Sequence, residues 1–215
     1  MDSQVTLVDP DIPSRSLLDD VCTVLDLERD VITSTVITMR GSSDTRYKVQ
    51  TKTRGFSRLG VRLVISENDN VIATIHRRDM FPDKISFEGS TTINVNKWLR
   101  WSKGSSFPAS IEDWGQRFAW HVGPGERLAL RSESNNTEIA WFNPSRLRFG
   151  NTSSESGSQA YLALAAPAEV MRTKVLVSCI LVVQKMRANQ RIWNTAAEST
   201  TWTGFSAMMG TLGGV

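Results

Sequence analysis

The chain has 215 residues, 40% of them hydrophobic and 22% charged, which suits one domain with a sizeable core. Two cysteines, Cys22 and Cys179, exclude a disulfide framework and a cysteine-rich metal site. Residues 1–30 hold eight acids against Arg15 and Arg29, so the overall charge of +3 leaves +9 on residues 31–215, a balance that favours anionic partners.

Residues 1–30 read as an acidic N-terminal extension with Pro10 and Pro13. Leu17, Leu18, Val21 and Leu25 fall near helical spacing and predict a short helix at Ser14–Leu27, with a disordered tail as the alternative. No basic and apolar leader pattern opens the chain, so a reducing, cytoplasmic setting is expected. The glycosylation acceptor patterns at Asn135 and Asn151 are then expected to stay unused.

From Val31 the texture changes to short strands separated by turns. Val31–Met39 is β-rich, Gly41–Asp44 signals a turn, and Tyr47–Thr51 alternates. Val61–Ile65 and Val71–Ile75 predict a hairpin around a four-residue loop, Glu67–Asn70. Lys84–Phe87 and Thr91–Val95 repeat the pattern around Glu88-Gly89-Ser90. Trp98–Trp101 precedes a Ser/Gly/Pro loop, Gln116–Val122 reads as a strand, and Leu128–Leu130 with Glu138–Phe142 make the next pair. After a polar loop at Asn151–Ser158, Tyr161–Leu164 is the last strand.

Between Lys174 and Lys185, only Ser178 breaks the apolar run from Val175 to Val183, and Ser is small. A span needs roughly 20 apolar residues, so this shorter run predicts a helix buried in a core, not in a bilayer. Pro167 and Glu169 suit a helix start, and Lys185, Arg187 and Arg191 suit its end. The predicted helix runs from about Ala168 to Arg191, and residues 192–215 read as a flexible Ser/Thr/Gly-rich tail. Strands every 8–12 residues or so followed by one all-apolar helix predict a mainly β fold: a closed antiparallel β-barrel wrapped around a buried C-terminal helix.

The runs Tyr47-Lys48-Val49-Gln50-Thr51, Val71-Ile72-Ala73-Thr74-Ile75-His76 and Phe118-Ala119-Trp120-His121-Val122-Gly123, closed by Gln184-Lys185-Met186-Arg187, carry a resemblance over residues 31–191. In this order they resemble an uncharacterised domain family of mushroom-forming fungi. That family is grouped with the tubby C-terminal-like superfamily, alongside LURP-one-related proteins and phospholipid scramblases. The resemblance implies the same barrel and, from tubby domains proper, phosphoinositide binding by basic residues.

No nucleophile elbow, P-loop or dinucleotide fingerprint is present, so no catalytic residue and no cofactor is expected. His76 and His121 lie in strand-like runs, and Glu112-Asp113 reads as a solvated turn. Two His and two Cys without paired spacing predict no metal site. Basic clusters carry the stronger signal. Arg54 and Arg58 flank Phe56, Arg77 and Arg78 end a strand, and Lys97, Trp98, Arg100, Trp101 and Lys103 interleave cations with indoles. Such residues can seat a phosphorylated head group while Trp rests at a membrane interface. The bland alternative is a solvated rim with tryptophans packed inward beneath arginine stems. The sequence therefore predicts a non-enzymatic domain binding anionic phospholipid, peripheral at a membrane and without a transmembrane span. The alternatives are a protein-interaction module whose acidic arm masks its basic face and, more remotely, a scramblase-like lipid handler. Nucleic acid ranks below these, because no recognised module appears.

Overall fold

A computed structural model describes residues 21–29, 32–42, 45–53, 61–78, 81–102, 107–123, 127–145 and 159–189. Its strands are β1 (Val21–Leu27), β2 (Thr35–Met39), β3 (Thr45–Thr53), β4 (Val61–Glu67), β5 (Asn70–His76), β6 (Lys84–Phe87) and β7 (Ile93–Asn94). They continue with β8 (Arg100–Trp101), β9 (Ala109–Asp113), β10 (Gln116–Val122), β11 (Leu128–Ser132), β12 (Glu138–Asn143) and β13 (Tyr161–Ala165). Two short helices, α1 (Val95–Trp98) and α2 (Ala166–Val170), precede a long helix over residues 172–189.

All strands join one 13-stranded sheet in the order β7-β6-β5-β4-β3-β2-β1-β13-β12-β11-β10-β9-β8, and every pairing is antiparallel. Neighbours in the sheet are neighbours in the chain, except that β1 pairs with β13. The two edge strands are also consecutive in sequence, tied by α1 and Leu99, although no ladder joins them. Trp98 packs edge-on against Phe87, with ring centroids 5.1 Å apart. An edge only two residues long and backed by a helix offers little backbone to a stray strand.

Alternation puts one side chain in two on the core face. Tyr47 and Val49 of β3, Leu63 and Ile65 of β4, and Phe118 and Trp120 of β10 all lie in the core cluster. The long helix supplies the rest. Residues 175–183 are nine consecutive buried positions, and at about 100° per residue they point to every side. Apolar surface on all sides requires cover on all sides, and the sheet supplies it from both halves. Four polar contacts fix the helix in rotation and depth. Lys174 pairs with Asp113 of β9, and Ser178 Oγ accepts from Trp120 Nε1 of β10 at 2.9 Å. Gln184 accepts from Arg77, just past β5, and Lys185 Nζ lies 3.7 Å from the centroid of the Trp101 ring of β8.

The Trp120–Ser178 contact is fully buried, and Ser178 Oγ also donates to Val175 O at 2.9 Å. Ser178→Ala strands the indole N–H in the core, so unfolding free energy should drop by about 1–3 kcal/mol. Chemical denaturation measures it, and an unchanged midpoint would mean that the indole is not dry.

Several expectations need correction. Val21–Leu27 is not part of an extension or a helix: it is a strand in the middle of the sheet, hydrogen-bonded to β2 and β13. Leu25 and Leu27 face the core, and this alternate spacing is the period that tertiary pairing selected. Among the described residues the sheet thus includes Val21–Leu27, ahead of the expected start at Val31. The predicted helix from Ala168 is two helices, broken at Met171 (φ −112°, ψ 27°), whose side chain is buried at the break. Glu112 and Asp113 are in strand β9, not a loop. The loop at Glu67–Asn70 tightens to two turn residues, Asn68 and Asp69, both at positive φ (46° and 65°). Residues 1–20 and the predicted tail lie outside the described residues.

Candidate functional site

The strand register sorts the turns between two ends of the molecule. Thr53 pairs with Val61, Arg62 with His76, His76 with Lys84 and Lys84 with Asn94, so these residues share one rim with α1. The later turns of the long helix meet the same rim through Gln184 and Lys185. Arg77, Arg78, Lys97 and Trp101 from the sequence prediction gather here.

Arg77 is a strut. Its guanidinium pairs with Asp83 at 3.0 Å and donates to Gln184 Oε1, while its backbone N–H donates to Val61 O. Asp83 also accepts from the backbone N–H of Arg78 (3.0 Å), and its carbonyl accepts from Val95 N (2.8 Å). A guanidinium only donates, so the Gln184 amide must turn its oxygen to Arg77 and its nitrogen away. That Nε2 is shielded from solvent and has no partner among the described residues.

Beside this strut opens a cleft of about 710 Å³. Ile32, Val95, Trp101 and Leu181 give it apolar walls, and among the described lining residues Arg77, Lys185 and Arg187 stand with Asp83. Burial pulls Lys185 below the usual lysine range, a cost that an anion in the cleft would offset. His76, on the same rim, is likewise lowered, by burial first and then by repulsion from Arg62, Arg78 and Lys84. A volume of this size, with apolar walls and a few convergent donors, fits a small anionic group.

The other predicted residues fall elsewhere. Trp98 packs on Phe87 and so on the core, as the bland alternative has it. Arg100 lies on the outer surface of the sheet, 3.7 Å from Glu112, in a cross-strand row with Arg117. Arg54, Arg58 and Lys103 lie outside the described residues. Four contributors were not foreseen as a site: Gln184, Lys185, Arg187 and Phe81. The last is 67% exposed, with the Arg78 guanidinium 5.6 Å above its ring. The sequence signal for Lys185 was its place at the edge of the apolar run, where it read only as a partner of the helix dipole.

The family description matches residues 30–188 to the Family of unknown function (DUF6593). The chain belongs to that family. No curated protein and no solved structure matches it. The family span contains every residue of the basic rim and ends near the last described turn of the long helix, whereas β1 precedes it. Among the described residues no group of three or more His, Cys, Asp or Glu could hold a metal ion, and no helix is long and apolar enough to cross a membrane.

At the opposite end three described cations are paired. Arg46 pairs with Glu67 at 3.0 Å, Arg172 with Glu169, and Lys174 with Asp113. Its exposed feature is Trp114, 84% accessible and at φ 49°, in the turn before Gly115 (φ 75°). Two positive φ values in a two-residue hairpin favour Asn-Gly, and a bulky side chain there is strained. Trp114→Asn should therefore raise unfolding free energy by about 0.5–1 kcal/mol. Thermal unfolding checks it, and a loss of stability would show that the indole packs usefully in solution.

Proposed function

We propose that this chain is a non-enzymatic binding domain that takes an anionic phospholipid head group, of the phosphoinositide class, on its basic rim. The observation that carries the reading is the cleft, whose described lining includes Arg77 and Lys185 with apolar walls, and where Lys185 sits partly desolvated over Trp101. Two further elements belong to the proposal. The sheet is a barrel around the long helix, shut by α1 in place of a β7–β8 ladder, as the resemblance to tubby C-terminal-like and LURP-one-related proteins implies. The protein acts in the cytoplasm, peripherally at a membrane.

Pelleting with phosphatidylcholine vesicles, with and without phosphatidylinositol bisphosphate, tests the reading. Binding should require the anionic lipid and weaken as salt rises from low to physiological strength, because exposed cations are screened over about 10 Å. Salt-independent binding to neutral vesicles, or none at all, would end it.

An acidic arm masking the basic face is the alternative reading. Val21, the first described residue, pairs with Ala165 beside the start of the long helix, at the far end from the basic cleft. The separation along 18 helical residues is about 27 Å, which 20 preceding residues are long enough to span. A scramblase-like role needs a helix in the bilayer, and the long helix spends its apolar surface on the core.

A further inference from the structure

We propose that Phe81 is the side chain that enters the lipid interface when the basic rim meets an anionic bilayer, with Arg78 beside it meeting the phosphates. This rests on the reading that the rim binds anionic phospholipid.

Three observations lead there. Phe81 is 67% exposed, so the ring gains little from the core. It stands on the rim between Arg77 and Asp83, both of which line the cationic cleft. The residues on either side of it are held from inside: Asp83 accepts from the Arg77 side chain and from Arg78 N, each at 3.0 Å, and Val95 N donates to Asp83 O. Flanks already held lose little freedom on docking, which leaves more of the ring's transfer free energy as affinity.

The pairing of ring and guanidinium suits a boundary. An aromatic ring gains by leaving water, and a long cationic side chain can keep its head at phosphate level while its stem follows the ring. Arg78 already lies 5.6 Å over the Phe81 ring, close enough for a cation–π contact. Charge selects this end over the other. Trp114 and Val170 are also exposed, but the cations around them are paired with Glu67, Glu169 and Asp113. Among the described residues Lys48 is exposed toward that end, whereas the rim around Phe81 carries both Arg78 and Lys97 outward beside the cationic cleft, so an anionic surface is steered more strongly to the rim.

The full chain and its Phe81→Ala, Phe81→Trp and Trp114→Ala variants would be titrated against two probes. One is phosphatidylcholine vesicles with phosphatidylinositol bisphosphate, and the other is soluble inositol trisphosphate. Phe81→Ala should weaken vesicle binding about ten-fold or more and leave the soluble head group unchanged, because only the bilayer can receive the ring. Trp114→Ala should bind both probes as the parent does. Phe81→Trp should restore vesicle binding and gain quenching by lipids brominated on their acyl chains. Each variant alters an exposed side chain, and matching thermal unfolding to the parent confirms its fold. Parent binding of both probes with no loss for Phe81→Ala would overturn the insertion and leave the head-group reading intact. Loss for Trp114→Ala instead would put the other end on the membrane and overturn it too. If the parent binds neither probe, the head-group reading falls and the insertion with it.

Discussion

Val177→Asp should leave the domain unfolded at neutral pH. Val177 has no accessible surface and sits inside nine consecutive buried helical residues. A carboxylate there has no water and no free cation on its own face. Lys174, one turn earlier, is already held by Asp113. Burying an unpaired charge costs several kcal/mol, with the loss of valine packing added, against a typical domain stability of about 5–15 kcal/mol. The variant relieves part of that cost by keeping the carboxyl protonated, which is itself paid as a raised pKa. Val177→Ala separates the two effects. It removes two methyl groups without adding charge and should stay folded with a loss of roughly 2 kcal/mol. Near-ultraviolet circular dichroism and denaturant titration read both variants. A cooperative, native-like Val177→Asp would mean that this part of the helix is not the core.

That prediction was open to the sequence because the evidence for it is local. A charge-bounded aliphatic run with helix formers beyond it has one economical home, and the structure put Val175, Val177, Val182 and Val183 at zero exposure. Strands with strict alternation, such as Tyr47–Val49 and Leu63–Ile65, were legible for the same reason. β1 was not. Its residues satisfy helical and strand spacing alike, and only pairing with β13, more than 130 residues away, decides between them. The acids around it made it look like a tail, although Asp26 answers Arg40 at 2.6 Å on the sheet surface. β9 was hidden by a similar effect, since Glu112 and Asp113 look like a turn until Lys174 and the Arg100–Arg117 row give them partners.

The candidate site was legible as a list of cations but not as a place. Arg77 and Arg100 look equivalent in sequence. In the fold Arg77 ties the rim to the helix, and Arg100 lies across the sheet surface toward Glu112. Gln184 carries no charge and so was not read as a site residue. It became informative once Arg77 fixed its amide orientation and left Nε2 unpartnered at the cleft. Sequence proximity marks charge density, whereas register and packing decide which charges face a ligand.

Reversing charge on the rim should then abolish vesicle binding, provided that the reversed residues do not hold the fold. Arg77 fails that condition, because Arg77→Glu would break its contacts with Asp83 and Gln184 and set two carboxylates against each other. Arg78 and Lys97 meet it. Both are exposed, and Arg78 is braced through its backbone N–H, which the substitution keeps. The double variant Arg78→Glu, Lys97→Glu changes the rim by four charges. At about 1 kcal/mol for each basic residue near an anionic leaflet, and as much again for each repulsive replacement, the loss is roughly 4 kcal/mol, or about a thousand-fold. Lys48→Glu, an exposed reversal on β3 toward the opposite end, controls for net charge alone and should cost far less. The comparison belongs at low salt, where long-range attraction is strongest and a net-charge effect would show best. Equal losses for the two constructions, scaled by charge, would make the attraction diffuse. A loss confined to Arg78 and Lys97 would give the lipid one face of the molecule, the one on which the last described turns of the helix carry a partly buried lysine and an amide nitrogen without a partner among the described residues.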